Sequence, residues 1–162
     1  MHLSAFPDGG RLFVDANIFL YHFWDRSDSC SQLFSRMEVG LIRGITSTTV
    51  LGEVAHQLLV GEALTRYPDI ARHPIRSLKR RPSLIRNLSD AWRLLDRLTH
   101  LPLRVISLTP RLWHQSVTIS RETGLLMNDA TTVACLRRLH LRHLASNDRD
   151  FLRVSGLTVW RP

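Results

Sequence analysis

Short apolar runs alternate along the chain with longer segments in which apolar residues recur at helical spacing. Residues 11–14 have the composition of a buried strand, which we expect to end near Asp15 and to continue into a helical segment. A second β-like run, 44–47, precedes apolar positions at helical spacing over 50–59. Each strand therefore leads directly into a helix, and the second helix carries Glu53.

The second half of the chain repeats this alternation. Thr109 is a candidate N-cap before a proline at the first helical position, and Gly124 is a candidate helix stop. Asn128 is a candidate cap of the next helix. The other elements predicted here are a strand at 104–108, a helix at 129–140, a strand at 143–146, a short helix at 150–153 and a strand at 157–160. This order predicts an α/β fold with a central, mainly parallel sheet flanked by helices.

The stretch 66–104 differs in composition from the rest. It holds ten basic and three acidic residues, so it carries +7 of the net charge of +8. Three prolines interrupt its first half, and Ser89 is a candidate cap of a helix that ends before Pro102. We interpret a basic helical excursion at about 62–102, inside a single domain over residues 1–162.

Composition and targeting signals limit the class of protein. With 44% hydrophobic and 22% charged residues, the chain should form a globular core. Cys30 and Cys135 match neither a metal-binding spacing nor a disulfide framework, which favours a reducing compartment. The apolar stretch 12–23 is interrupted by Asp15 and Asn17 and lacks a basic n-region and a cleavage site, so we do not expect it to be a signal peptide. No run approaches the roughly 20 apolar residues of a membrane span. We expect a soluble cytoplasmic protein with no membrane contact.

Four acidic residues stand at predicted element ends or beside a buried face: Asp15, Glu53, Asp129 and Asp148. Each has an ordinary alternative role, as a helix cap, a turn residue, a first-turn acid or a solvated side chain. If they converged in one crevice they would repel one another unless a divalent cation neutralised them, and hard oxygen ligands select Mg²⁺ or Mn²⁺. Such a site can activate water against a phosphodiester.

Other chemistries find less support in the sequence. The chain lacks a G-x-S-x-G elbow, a G-x-G-x-x-G loop and a Walker loop. His140 and His143 form a close pair without a third zinc ligand at a recognisable spacing. An aspartyl-phosphate mechanism would want an acid at the position of Asn17. We interpret Trp92 and Trp113 as core residues rather than base-stacking platforms.

Four ordered segments, 13–21, 46–56, 125–134 and 144–151, resemble the successive motifs of PIN domains. They most closely resemble those of VapC-type toxin ribonucleases. The resemblance implies a PIN-like fold and a Mg²⁺- or Mn²⁺-dependent endoribonuclease, the toxin of a type II toxin–antitoxin pair. It also implies a homodimer, an RNA substrate and a cognate antitoxin as partner.

The same resemblance assigns roles to individual residues. Asp15 and Asp129 are the expected direct Mg²⁺ ligands, and Asn17 and Ser146 are expected to support the site. Asp150 occupies the outer acidic position of the last motif. The acidic, catalytic set is Asp15, Glu53, Asp129 and Asp148.

The basic excursion is longer than compact members of that family need. It could grip RNA phosphates, bind an acidic stretch of an antitoxin, or be only a solvated face. Two other functions stay open: a non-catalytic RNA- or protein-binding module of the same fold, and a metal-dependent phosphohydrolase acting on small molecules. The candidate RNA-binding residues are Arg76, Lys79, Arg80, Arg81 and Arg86.

Overall fold

The computed structural model describes residues 1–162, which divide into two compact units. The first unit contains Met1–Gly52 and Pro102–Pro162, and the second contains Glu53–Leu101. The basic stretch 66–104 therefore falls in the second unit except for its last residues, Arg104 among them. The single domain predicted over residues 1–162 stays a prediction.

The first unit contains a five-stranded, all-parallel sheet in the order β3-β2-β1-β4-β5. The strands are β1 (Arg11–Val14), β2 (Arg43–Ser47), β3 (Leu103–Ile106), β4 (His143–Ala145) and β5 (Thr158–Trp160). The α/β class predicted from the sequence is confirmed. From β1 to β3 the chain builds the sheet in one direction, and β4 and β5 extend it in the other. A crevice is therefore expected between β1 and β4, at the carboxyl ends of the strands.

The central strand is completely buried beyond its first residue. Leu12, Phe13 and Val14 are all 0% exposed, and Phe13 pairs with Ile45 on one side and Leu144 on the other. A strand covered on both faces needs a continuous apolar run, which is the pattern of the sequence here. Asp15 is thus the first polar residue after the most deeply buried strand.

Eight α-helices accompany the sheet. They are α1 (Ala16–Phe23), α2 (Asp28–Glu38), α3 (Thr48–Arg66), α4 (Pro74–Arg80), α5 (Pro82–Arg86), α6 (Ser89–His100), α7 (Pro110–Thr123) and α8 (Met127–Arg138). Short 3₁₀ helices occupy Leu3–Ala5, Pro68–Ile70 and Asp150–Arg153. None of the helices combines the length and the apolar character that crossing a lipid bilayer requires.

Local capping explains where several of these helices begin and end. The Ser47 hydroxyl accepts a bond from the Val50 backbone N–H at the start of α3 (3.2 Å). Thr109 caps α7 by accepting from the Leu112 N–H (3.3 Å). Gly124 ends α7 in the left-handed region (φ 71°), which glycine adopts without strain. Both ends predicted for α7 are confirmed.

Two predicted caps are wrong. Helix α8 begins at Met127 because the Leu126 carbonyl already accepts the Ala130 N–H (2.9 Å), so Asn128 lies inside the first turn. Helix α6 begins at Ser89 itself. There, the Glu62 carboxylate accepts the Ala91 N–H (2.6 Å) and takes the role of the cap.

The second unit is helical, as the sequence predicts. It contains most of α3 and all of α4, α5 and α6, and prolines open the 3₁₀ helix, α4 and α5. Arg66 at the end of α3 donates to the Asn87 carbonyl (2.5 Å). Hydrogen bonds therefore connect α3 both to the residue that follows α5 and to the first turn of α6.

The interpretation of Trp92 and Trp113 as core residues is wrong, since they are 45% and 47% exposed. The Trp92 indole N–H donates to the Ile85 carbonyl (3.0 Å), which holds the ring at the surface. In α7 the buried positions are Leu112, Ser116 and Ile119. Trp113 follows Leu112 by one residue and so points away from that face.

Candidate active site

Asp15 stands at the N-cap position of α1 but does not cap it. Its side chain makes no capping bond, and its Oδ2 instead accepts from Asn17 Nδ2 (2.8 Å) and from the Ser146 hydroxyl (2.7 Å). The carboxylate is only 9% exposed. Its backbone N–H continues the sheet by donating to the Ala145 carbonyl (3.1 Å). The ordinary role of a helix cap therefore does not account for Asp15.

Ser146 joins the ends of the two strands that flank the crevice. The residue is 0% exposed, and its hydroxyl donates to Asp15 while accepting from Asn17 Nδ2 (3.2 Å) and the Asp148 N–H (3.0 Å). One donor and two acceptor positions are the full capacity of a hydroxyl group. The structure therefore brings together Asp15, Asn17, Ser146 and the backbone of Asp148, all of which the sequence singles out.

A second layer of polar residues fixes Asn17, and the sequence analysis missed it. The Asn147 N–H donates to Asn17 Oδ1 (3.0 Å), and its side-chain amide donates to the Tyr21 hydroxyl (3.0 Å). Arg161 donates to Asn147 Oδ1 (2.9 Å), while its own Nε is buried without a partner. Tyr21 lies one helical turn after Asn17, so its spacing could have placed it beside the site. Arg161 lies beyond the last strand, and no sequence pattern indicated its contact with Asn147.

The two acids of the last motif are differently engaged. Asp148 Oδ1 accepts the Asp150 N–H (2.8 Å). This bond closes a turn, which is the ordinary role of an Asp that directly follows a strand. Asp150 forms an ion pair with Arg153 (2.5 Å), and both side chains are about half exposed. Asp150 therefore stabilises the start of the short helix at Asp150–Arg153.

Asp129 and Glu53 lie on helices rather than at strand ends. Asp129 is the third residue of α8 and half-buried, and the positive end of the helix dipole stabilises its carboxylate there. The seven residues that follow it are buried. Glu53 is half-buried in α3 and belongs to the second unit.

The oxygen atoms at the ends of β1 and β4 match the ligands of one class of metal. Carboxylate, amide and hydroxyl oxygens suit Mg²⁺ or Mn²⁺, whereas zinc favours nitrogen and sulfur. The structure contains no group of three His, Cys, Asp or Glu side chains that could hold a metal ion. Mg²⁺ commonly uses only one or two carboxylates and keeps several waters. The donor chemistry fits Mg²⁺, although no three-ligand cage is formed.

The candidate RNA-binding residues are all exposed in the second unit. Arg76, Lys79 and Arg80 lie on α4, and Arg86 ends α5. Arg81 differs from them because it pairs with Asp69 (2.9 Å).

The cysteines lie outside this network. Cys30 and Cys135 are free and buried. Burial raises the pKa of the Cys30 thiol, and it raises the pKa of Cys135 to about 11 against a weaker opposing effect of Arg138. Both thiols are therefore protonated and unreactive near neutral pH.

The strand order reverses between β1 and β4, and acidic, amide and hydroxyl side chains lie at that point. This arrangement is typical of doubly wound α/β proteins, which hold ligands at the carboxyl ends of their strands. A model of the PIN domain matches residues 12–157. The chain therefore belongs to the PIN domain family, and the resemblance inferred from its four motifs is confirmed.

The fold is similar to those of solved toxin structures. VapBC2 of Rickettsia felis, bound to a promoter DNA fragment, gives a TM-score of 0.61 at 14% identity and covers 93% of this chain and 98% of that chain. VapC20 of Mycobacterium tuberculosis, described as a sarcin-ricin loop cleaving toxin, gives 0.60 at 19%, with 93% and 99% covered. A toxin–antitoxin complex from Klebsiella pneumoniae gives 0.57 at 18%, with 91% and 95% covered. These similarities confirm the PIN-like fold. No curated protein matches the chain in sequence.

Proposed function

We propose that this protein is a Mg²⁺- or Mn²⁺-dependent endoribonuclease and the toxin of a type II toxin–antitoxin pair. The observation that carries the proposal is the buried Asp15 carboxylate, held by Asn17 and Ser146 where β1 and β4 end. Membership of the PIN domain family and a fold like that of VapC toxins support it.

In this proposal the acidic residues bind the metal ion and act on the water. Asp15 and Asp129 are the proposed direct ligands, and Glu53 and Asp148 complete the acidic set. When bound, the cation lowers the pKa of a coordinated water and stabilises the negative charge that develops on the phosphodiester. A carboxylate of this set orients the water and accepts its proton. Attack of this water at phosphorus would break the bond to O3′, whose oxygen takes a proton from solvent, and would leave a 3′-hydroxyl and a 5′-phosphate.

The polar residues around Asp15 keep its carboxylate in one orientation. Ser146 and Asn17 both donate to Oδ2, and Asn147 fixes the amide of Asn17 by donating to its oxygen. A carboxylate that is already oriented loses less conformational freedom when it binds a ligand. Asn17 and Ser146 are thus positioning residues in this proposal. Asp150, at the outer acidic position, has a structural role through its ion pair with Arg153.

The proposed partners are RNA, a cognate antitoxin and a second copy of the chain. The structures from Rickettsia felis and Klebsiella pneumoniae are complexes of toxin with antitoxin, which supports an antitoxin partner here. Arg76, Lys79, Arg80 and Arg86 on α4 and α5 would neutralise RNA phosphates. We assign the activity to the cytoplasm, where Cys30 and Cys135 would stay reduced.

Cleavage of a structured RNA, with and without excess EDTA, tests the proposal. We expect wild-type protein to cut in Mg²⁺ and to stop in EDTA, and Asp129→Asn to fold but to lose at least about 100-fold in rate. Asp25→Asn is the matched control, because Asp25 is exposed with a positive φ (52°) that asparagine also accepts. Undiminished cleavage in EDTA, or by Asp129→Asn, would contradict the proposal.

A non-catalytic RNA- or protein-binding module is the second candidate function. It is favoured by the lack of a three-ligand metal group together with the exposed basic residues on α4 and α5. In that case charge reversal at Arg80 and Arg81 abolishes function, while Asp15→Asn leaves it intact. The endoribonuclease proposal predicts that Asp15→Asn abolishes cleavage and leaves RNA binding measurable.

A further inference from the structure

Three arginines share one face of the sheet at the amino ends of adjacent strands. Arg11 opens β1, Arg43 opens β2, and the two are register partners. Arg104 in β3 pairs with Ile45, two residues after Arg43. Side chains two residues apart on a strand, and register partners on neighbouring strands, point to the same face. The register therefore places all three guanidinium groups on one side of the sheet.

These arginines line a single cavity of about 430 Å³. The rest of its wall is apolar or glycine, including Met37 and Ile45, and no carboxylate lines it. The side chains of Arg11, Arg43 and Arg104 form no salt bridge and no hydrogen bond. Elsewhere in the chain, arginines do find acidic partners at 2.5–2.9 Å: Arg36, Arg81, Arg93 and Arg153.

The three side chains are exposed, so the repulsion between their charges is modest and is screened by salt. Like charges directly opposite each other on neighbouring strands destabilise a sheet, and Arg11 faces Arg43 in this way. An anion in the cavity would relieve that repulsion. The guanidinium group is a planar fork that matches the oxygens of both carboxylate and phosphate groups. Three of them around one cavity favour a phosphate, because it has more acceptor oxygens than a carboxylate.

We propose that the cavity formed by Arg11, Arg43 and Arg104 binds a phosphate group. Its source is either the backbone of an RNA chain or a free compound such as a nucleotide. The cavity lies at the amino ends of the strands, whereas Asp15 follows the carboxyl end of β1. Asp15 lies four residues after Arg11 in the sequence, about 13 Å along the strand. The phosphate site is therefore separate from the candidate active site and does not depend on the proposed function.

Thermal unfolding of the full chain with inorganic pyrophosphate tests the site itself. We expect pyrophosphate to raise the Tm of the wild type, because a ligand that binds only the folded state stabilises it. Arg43→Gln and Arg11→Gln should each lose most of this rise. Arg121→Gln, which removes one exposed, unpaired charge on α7, should keep it. An equal rise in Arg43→Gln, Arg11→Gln and the wild type would overturn the proposal.

Binding of a labelled oligouridylate, followed by fluorescence anisotropy at several salt concentrations, identifies the source of the phosphate. If RNA occupies the cavity, Arg43→Gln weakens the salt dependence: the slope of log K against log salt becomes less negative by about 0.7, the value for one contact to a single strand. If only free compounds occupy it, the slope stays at the wild-type value while the pyrophosphate effect is lost. Either result upholds the phosphate site, and neither requires cleavage activity.

Discussion

Ser146 links the two strands of the candidate site through one hydroxyl group. Its donated bond goes to the Asp15 carboxylate, and its accepted bonds come from Asn17 and the Asp148 backbone. A bond to a charged group contributes more than a neutral one, and a buried polar atom that loses its partner is costly. The geometry of Asp15 therefore depends on a side chain 131 residues away in sequence.

Removing this hydroxyl should affect both stability and cleavage. We expect Ser146→Ala to lower the free energy of unfolding by about 1–3 kcal/mol, because the Asp15 carboxylate and the Asp148 N–H each lose a partner. Cleavage should fall with it, since the carboxylate is no longer held in one orientation. Chemical denaturation and initial cleavage rates measure the two effects.

Ser116→Ala is the matched control for this change. Ser116 is also 0% exposed, but its hydroxyl donates only to the Leu112 carbonyl of its own helix (2.9 Å). We expect a smaller loss of stability and wild-type cleavage. Equal effects of the two substitutions would show that the bond to Asp15 has no special part.

At the scale of elements, the sequence indicates strands more reliably than helix starts. All five strands were predicted: β1 from the continuous apolar run that a strand buried on both faces needs, and the others from short β-favouring runs between helical segments. The caps predicted at Asn128 and Ser89 were wrong. At Ser89 the reason is a tertiary contact, because a carboxylate from α3 satisfies the first turn of α6. Helix α2 (Asp28–Glu38) was not predicted, although its buried residues Cys30, Leu33, Phe34 and Met37 recur at helical spacing and Ser27 caps it.

The pairing of β1 with β2 makes a prediction about the ligand-free protein. Arg43→Gln removes one of two like charges that face each other, so we expect it to raise the free energy of unfolding by about 0.2–1 kcal/mol in low salt. The gain should shrink as salt screens the repulsion. Urea denaturation at two salt concentrations measures it. Arg121→Gln should show no comparable gain, and destabilisation by Arg43→Gln at low salt would contradict the argument.

For the whole molecule, the structure divides the basic stretch that the sequence presents as one block. Arg104 lies in the first unit, in the same cavity as Arg11 and Arg43, whereas the other nine basic residues of 66–104 lie in the second unit. Charge counting along the chain could not separate them, because register partners are distant in sequence.

The candidate site was predictable to a similar extent. Asp15 follows from where β1 ends, the resemblance to PIN motifs assigns Asn17 and Ser146, and the structure brings the three together. The link from Arg161 to Asn147 could not be predicted, since it arises only when the end of the chain packs beside β4. The metal-ligand roles of Asp15, Glu53, Asp129 and Asp148 stay a prediction.

The two neighbouring arginines at the end of α4 give a test of the proposed RNA contact. Arg80 forms no ion pair, whereas Arg81 is paired with Asp69 at 2.9 Å. If α4 contacts RNA, Arg80→Gln should lower the slope of log K against log salt by about 0.7, and Arg81→Gln should lower it less because its charge is already partly neutralised. Anisotropy titrations of a labelled RNA measure both slopes. If Arg80→Gln changes the slope no more than Arg121→Gln does, the basic residues of α4 do not contact RNA and belong to a solvated face.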